Sequence, residues 1–195
     1  MKEDEKVLVI PRDIFFEKGS WQGIKKDNLD YYLNLLKSSS FFKERKDVEE
    51  DPYYLQIIPY IIFSFEDKFF LYKYINKAGE KRLIDHYQLA VGGHIDLSDG
   101  KDIELAALRE WEEEVSFKGK IKRKKLVGIL NDDRAMVEKV HLGIIYHFIG
   151  DSDNIEVKEK DKLKGHMVKK EDIGKFIREE DIWASIIWRD YISKL

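Results

Sequence analysis

Three glutamates near the middle of the chain have a spacing that could bring their carboxylates together. Glu110, Glu113 and Glu114, the glutamate triad, stand at positions i, i+3 and i+4, with no lysine between them. On an α-helix these positions lie on one face, within about one turn. Like charges at this spacing repel each other by roughly 0.2–0.5 kcal/mol per pair, and hard divalent cations prefer carboxylate oxygens as ligands. The spacing therefore indicates a cation site, with an acid-rich solvated helix face as the alternative.

The helix that must carry the glutamate triad is predicted from Asp102 to Val115. Placed at about 100° per residue, its apolar residues form one arc made of Ile103, Ala107, Leu108, Trp111 and Val115. Glu110 and Glu114 fall at the edge of that arc, so their carboxylates are expected to border the core. Carboxylates at the margin of a buried face destabilise a fold unless they are paired or bound to a metal. This position favours the cation site over the solvated face.

The composition narrows the chemistry to oxygen and nitrogen groups. The chain has 195 residues and no cysteine, which excludes disulfides, thiolate zinc sites, iron–sulfur clusters and cysteine nucleophiles. Its 35 basic and 38 acidic residues give a formal charge of -3, which argues against binding to nucleic acid through net positive charge. The first residues are charged, and no apolar run approaches the ~18 residues that cross a bilayer. We therefore expect a cytoplasmic protein with no membrane partner.

A glycine pair precedes the acidic helix and completes a longer pattern. Gly92 and Gly93 are followed by Arg109-Glu110-Trp111-Glu112-Glu113-Glu114 and then by Phe117. Together these residues resemble the signature of the Nudix hydrolase superfamily, in a sub-branch of Nudix-type phosphoesterases. That signature reads Gly, five residues, Glu, seven residues, Arg-Glu, an apolar residue, any residue, Glu-Glu, any residue, Gly and an apolar residue. The helical half of the signature is well matched.

The chain departs from the signature in three places. Arg109 lies 16 residues after Gly93, whereas the signature has 14, so the intervening loop is expected to carry two extra residues. Loops accept such insertions at small entropic cost. Lys101 stands where the family has its earlier Glu, counted back from Arg109, and Ser116 stands at the position of the family's last Gly.

The resemblance implies a fold and an activity. The fold would be α+β, a Nudix-like α/β/α sandwich with a mixed β-sheet. The activity would be Mg²⁺- or Mn²⁺-dependent hydrolysis of a diphosphate linkage in a nucleoside diphosphate derivative or a related organic pyrophosphate. The alternative is a Nudix-fold nucleotide-binding or regulatory module without efficient catalysis, because Lys101 and Ser116 depart from the signature.

The resemblance also assigns roles to individual residues. The glutamate triad would bind the cation and, together with Arg109, form the catalytic set. Arg109 would orient a glutamate through a two-pronged hydrogen bond. Gly92 and Gly93 would bind the substrate, and the Gly92 carbonyl would add a metal ligand.

Acids outside the helix are further candidates. Asp99 or Glu104 is expected to replace the earlier glutamate that the signature contains and this chain lacks. In the family, an acidic residue from a later loop often assists the reaction, and Glu159 or Asp161 lies in the corresponding region. The same segment is rich in lysine, so a solvated connection is the alternative for it.

Two parts of the chain are predicted on either side of residue 52. Residues 1–52 form an N-terminal extension with a strand and an amphipathic helix, whose apolar stripe is Leu29, Tyr32, Leu33 and Leu36. That stripe must dock on its own core or on a second subunit, and the resemblance favours a homodimer. Residues 53–195 form the Nudix domain. Its predicted strands are Tyr54 to Phe65, Phe69 to Ile75, Leu89 to Val91, Leu126 to Leu130, Val140 to Ile149 and Gly165 to Val168, with a turn at Ala78 and Gly79.

Overall fold

The computed structural model of the protein describes residues 5–75 and 86–195. Its strands are β1 (Lys6–Pro11), β2 (Gly23–Lys25), β3 (Phe41–Glu44), β4 (Tyr54–Phe65), β5 (Lys68–Tyr74), β6 (Tyr87–Gln88), β7 (Ala90–Gly92), β8 (Val115–Phe117), β9 (Ile121–Asn131), β10 (His141–Gly150), β11 (Ile155–Val157) and β12 (Leu163–Lys169). Its helices are α1 (Arg12–Phe15), α2 (Leu29–Ser39), α3 (Ile103–Glu114), α4 (Met136–Lys139) and α5 (Ile182–Asp190). Short 3₁₀ helices cover Arg45–Asp47, Lys170–Lys175 and Ile192–Lys194. The predicted α+β class with a mixed sheet is confirmed.

The chain divides into two compact units, each built from three separate segments. The first unit contains residues 1–60, 93–108 and 127–145, and the second contains residues 61–92, 109–126 and 146–195. Strands β4, β9 and β10 and helix α3 contribute residues to both units. The N-terminal extension thus belongs to a unit that also contains later parts of the chain. The division at residue 52 stays a prediction.

In the first unit, β1 lies between two antiparallel neighbours. Val9 is opposite Phe41 of β3 on one side and opposite Gln56 of β4 on the other. Strand β3 has only 4 residues, which are too few for a polar–apolar alternation to mark it in the sequence. The 3₁₀ turn that follows is held by Arg45, whose guanidinium pairs with Glu5 and Glu49.

Helix α2 places its apolar stripe against its own chain. Tyr32 and Leu36 are buried, and the helix contacts α1 and β1. The helix begins after Asn28, whose φ of 54° is left-handed, and the carboxylate of the preceding residue, Asp27, pairs with Lys25 at 3.1 Å. The extension therefore docks on its own core through these two residues, and the homodimer stays a prediction.

In the second unit, β5 lies between β4 and β12. The β4–β5 hairpin has Phe65 opposite Lys68, and its turn contains Glu66 with a φ of 52°. Strand β12 pairs with β5 along its whole length, from Leu163 opposite Tyr74 onwards. The turn predicted at residues 78 and 79 lies outside the described residues. Across the described ranges, no helix combines the length and the apolar character needed to span a bilayer.

A small separate sheet follows α3 directly. Strand β8 starts at the residue after Glu114, and β11 pairs with it antiparallel, with Val157 opposite Val115 and Ile155 opposite Phe117. Each of the two strands has 3 residues, which is too short for a hydrophobic period to show. This pairing fixes the segment after β11 beside the end of α3.

Candidate active site

The second half of α3 is anchored by one aromatic side chain. Trp111 is 7% exposed, and its ring centroid lies 5.3 Å from that of Phe63 and 5.6 Å from that of Phe148. Because Trp111 points into this core, its neighbour Glu110 is forced to the margin and is only 8% exposed. Glu114 is half-buried and Glu113 is exposed. The structure thus places Glu110 and Glu114 at the edge of the core, as predicted, and leaves Glu113 exposed.

Arg109 holds two members of the triad. Its Nη1 donates to Oε1 of Glu110 at 2.8 Å and to Oε2 of Glu113 at 3.1 Å. Hydrogen bonds between charged partners are stronger than neutral ones and restrict the rotation of the carboxylates. Arg109 thus orients two carboxylates rather than one, while its catalytic role stays a prediction.

Burial and mutual repulsion disfavour the ionised form of these acids. Burial, reinforced by the charges of Glu113 and Glu114, raises the pKa of Glu110 to about 7 even though Arg109 opposes the shift. Burial also raises the pKa of Glu114, and the charges of Glu159 and Glu113 add to this effect, while Lys162 opposes it. The site therefore holds more negative charge than its own cations balance.

The segment after β11 supplies a fourth carboxylate. The backbone N–H of Lys158 donates to the carbonyl of Glu114 at 2.9 Å and so extends the β8–β11 pairing by one residue. Glu159 follows immediately, close enough for its charge to raise the pKa of Glu114. Of the two acids predicted for this region, Glu159 is the one that acts on Glu114. The sequence alone did not distinguish Glu159 from Asp161 as the assisting acid. Only the register of the short strands β8 and β11 decides which of the two lies beside Glu114.

The chemistry of the donor atoms, but not their present arrangement, suits a hard divalent cation. Within residues 5–75 and 86–195, no group of three or more histidine, aspartate or glutamate side chains is arranged around a common point as metal ligands; in the triad, Arg109 binds two of the carboxylates. All the donors are oxygen atoms, however, and one of them is a buried carboxylate with a strongly raised pKa. A dication among these groups would replace repulsion by attraction. Metal binding by Glu110, Glu113 and Glu114 stays a prediction.

The loop before α3 contains the predicted replacement acids. Asp99 is 5% exposed, and its Oδ2 accepts the N–H of Asp96 at 3.0 Å, so this carboxylate closes its own loop. Gly100 has a φ of 61°, which glycine adopts without strain. Glu104 lies in the first turn of α3 and is exposed.

Gly92 ends β7 and Gly93 follows it, both half-exposed, and their contact with substrate stays a prediction.

Known proteins identify the family. No protein-family model matches the chain. The chain is 32% identical over 203 residues to Protein YmaB of Bacillus subtilis (strain 168), with 98% of this chain and 97% of that protein covered. It also superposes on the crystal structure of Tm1382, a candidate Nudix hydrolase, with a TM-score of 0.83, 28% identity and coverage of 98% of this chain and 100% of Tm1382. The chain belongs to the Nudix hydrolase superfamily.

This Nudix chain shares its fold with more distant members as well. The Nudix domain of Shewanella oneidensis NrtR, solved in complex with ADP ribose, has a TM-score of 0.55 at 10% identity and covers 72% of this chain and 88% of that domain. That similarity concerns the fold alone. The expectation of a hydrolase acting on phosphoanhydride bonds is confirmed for this Nudix protein.

Proposed function

We propose that this Nudix hydrolase cleaves the diphosphate linkage of a nucleoside diphosphate derivative or a related organic pyrophosphate, with Mg²⁺ or Mn²⁺ as its cofactor. The observation that supports this proposal is the crowding of Glu110, Glu113, Glu114 and Glu159, one of them buried, in a place where a cation would relieve their repulsion. The NrtR Nudix domain was solved with ADP ribose, itself a nucleoside diphosphate derivative, which makes this class the first to test.

The residues of the site have separate parts in this reaction. Glu110, Glu113 and Glu114 would hold the cation, which would neutralise charge at the phosphate oxygens and make water a stronger nucleophile. Arg109 keeps two of these carboxylates in fixed rotamers through its bonds to both. The attacking water forms a new bond to one phosphorus, the bridging P–O bond breaks, and the proton of the water passes to a carboxylate. Glu159 is our candidate for that proton acceptor, because it lies beside the triad without being part of it.

A single screen tests the proposed activity. Nucleotide sugars, dinucleoside polyphosphates, ADP-ribose and nucleoside triphosphates are incubated with the protein and Mg²⁺, and phosphate-containing products are separated by chromatography. We expect cleavage of at least one diphosphate-containing class, loss of that cleavage on chelation of the metal, and its return when Mg²⁺ or Mn²⁺ is added back. Tight binding of a nucleotide without turnover at any metal concentration would contradict the enzymatic function.

We further propose that the protein is a homodimer that uses its N-terminal extension. Ile14 and Phe41 are each 39% exposed although both are apolar. Deletion of the whole extension would remove β1 from its pairing with β4, so single substitutions are the better test. Light scattering should show the mass of a dimer for the wild type and a lower mass for Ile14→Glu or Phe41→Glu. A wild-type monomer would contradict this proposal.

A further inference from the structure

The segment after β11 carries lysines that have different acidic partners. Lys160 pairs with Glu156, on the side of strand β11. Lys162 pairs with Glu159, with 2.7 Å between its Nζ and Oε1 of the glutamate. Two lysines of equal length and charge on one turn therefore have different acidic partners, and Lys162 is the less exposed of the two. Lys162 neutralises the acid beside Glu114, whereas Lys160 does not.

Backbone hydrogen bonds fix this turn against the end of α3. The carbonyl of Glu159 accepts the N–H of Lys162 at 3.0 Å and that of Leu163 at 2.8 Å, which closes the turn. The N–H of Lys158 binds the carbonyl of Glu114. The backbone of Lys162 is thus fixed beside the end of α3, and the ion pair with Glu159 places its ammonium in the acidic cluster. Its charge also lowers the pKa of Glu114.

A diphosphate substrate needs a cation that the protein itself supplies. Each phosphate carries negative charge, and the four carboxylates of the site repel it. A metal ion bound by the carboxylates offsets much of their charge, and Arg109 is already shared between Glu110 and Glu113. The side chain of Lys162 is 35% exposed and ends in an ammonium with three donors, so it can reach a ligand from solution.

We propose that Lys162 binds a phosphate of the substrate and, when no substrate is present, neutralises Glu159. This assignment rests on the proposed function, because it gives the lysine a diphosphate partner. Phosphate binding by Lys162 predicts two opposite changes in affinity, which a purely structural role of this lysine would not produce. Loss of the ammonium should weaken binding of a diphosphate and strengthen binding of a cation, since the same charge attracts the one and repels the other.

Calorimetry on the full chain measures both effects with defined probes. Mn²⁺ is titrated into the protein alone, and methylene diphosphonate, which is not hydrolysed at its bridge, is titrated in the presence of saturating Mg²⁺. For Lys162→Met we expect diphosphonate affinity to fall about tenfold, as for loss of one charge-assisted hydrogen bond. We expect Mn²⁺ affinity to rise by about two- to fivefold, limited by solvent screening. Lys162→Arg should retain both wild-type affinities within about twofold.

Lys160→Met is the matched control and should leave both affinities unchanged. If Lys160→Met weakens diphosphonate binding as much as Lys162→Met does, the effect is one of net charge and the assignment to Lys162 is wrong. Wild-type diphosphonate affinity in Lys162→Met would also overturn it. A wild-type protein that binds no diphosphonate in Mg²⁺ would instead overturn the proposed function and the role of Lys162 together.

Discussion

The phenol of Tyr191 lies 2.9 Å from Nδ1 of His147, and the hydroxyl of Ser64 lies 2.7 Å from Nε2 of the same ring. His147 is 4% exposed and stacks on Phe69, with 5.7 Å between the ring centroids. This buried imidazole joins strand β4, strand β10 and the last turn of the chain within the second unit. A ring that bridges two hydroxyls is suited to the neutral form, because both hydroxyls can donate or accept.

The stability of the protein should depend on the neutral state of His147. Burial, aided by the charges of Lys125 and Arg123, lowers the pKa of His147 to about 4, compared with about 6.5 in an unfolded chain. The folded state therefore binds fewer protons than the unfolded state between these pH values. The stabilisation is fully present above about pH 6.5 and declines by about 3 kcal/mol as the pH falls towards 4.

Urea unfolding of the wild type and of His147→Gln at pH 7.5 and 4.5 measures this contribution. The variant should be less stable at pH 7.5, because it loses packing against Phe69, but it should lose less stability between the two pH values than the wild type does. Other groups titrate in both proteins and cancel in this difference. Equal losses would mean that the ring does not control the acid sensitivity.

The metal ligands are tested by neutral substitutions on one helix. Glu113→Gln and Glu114→Gln keep side-chain size and helix propensity, so far-UV circular dichroism should not change. We expect each to weaken Mn²⁺ binding and turnover by about 10- to 100-fold. Glu112→Gln is the matched control, because Glu112 is exposed on the same helix but lies away from the apolar arc. Equal Mn²⁺ affinity in the wild type and both variants, measured by calorimetry, would exclude these residues as ligands.

The position of the triad relative to the core could be predicted because all three glutamates lie on one helix, whose regular repeat determines the direction of each side chain. The 3.6-residue repeat of α3 places Trp111 in the core, and its neighbour Glu110 then has to lie at the margin. The same reasoning predicted the burial of Tyr32 and Leu36 on α2. The period identified only part of each buried face, because Leu29 and Leu33 of the α2 stripe are only partly buried, and Ala106 of α3 is buried although it lies outside the predicted arc.

The placement of Glu159 and Lys162 could not be predicted in the same way. Their position depends on the register of β8 and β11, with 3 residues in each strand, and such strands carry no detectable alternation. Strand β9 was predicted to start at Leu126 but starts at Ile121. Its first half has exposed lysines on both faces, so no polar–apolar alternation marks it as a strand.

The effect of a metal on stability should depend on pH. With its pKa raised to about 7 by burial, Glu110 favours the folded state in its protonated form. Its contribution is present below about pH 4.5 and is lost as the pH rises through 7. A bound dication reverses this by stabilising the ionised carboxylate. Mg²⁺ should therefore raise the midpoint of thermal unfolding more at pH 8 than at pH 5.5.

Glu110→Gln separates this effect from general metal binding. The variant has no carboxyl to titrate at this position, so without metal it should lose less stability than the wild type between pH 5.5 and pH 8. Differential scanning calorimetry with and without Mg²⁺ at both pH values gives the comparison. A Mg²⁺ shift of equal size at both pH values in the wild type would show that Glu110 does not ionise on metal binding.

Lys101 supports the fold at the position where the family has an acid. Its Nζ donates to the carbonyl of Ser40, at the C-terminal end of α2, where the helix dipole favours a cation. Lys101→Glu should therefore destabilise the protein by about 1–2 kcal/mol, and Lys101→Met by less, since it removes the bond without adding a repelled charge.

If Asp99 replaces the missing acid in catalysis, Asp99→Asn should reduce turnover by about 10- to 100-fold, while Lys101→Glu should leave the turnover of the folded protein nearly unchanged. Urea unfolding and steady-state rates at saturating Mg²⁺ give the two readouts. An increase in rate for Lys101→Glu together with a silent Asp99→Asn would mean that the site is short of one carboxylate, and that Lys101 stabilises the fold at the expense of activity.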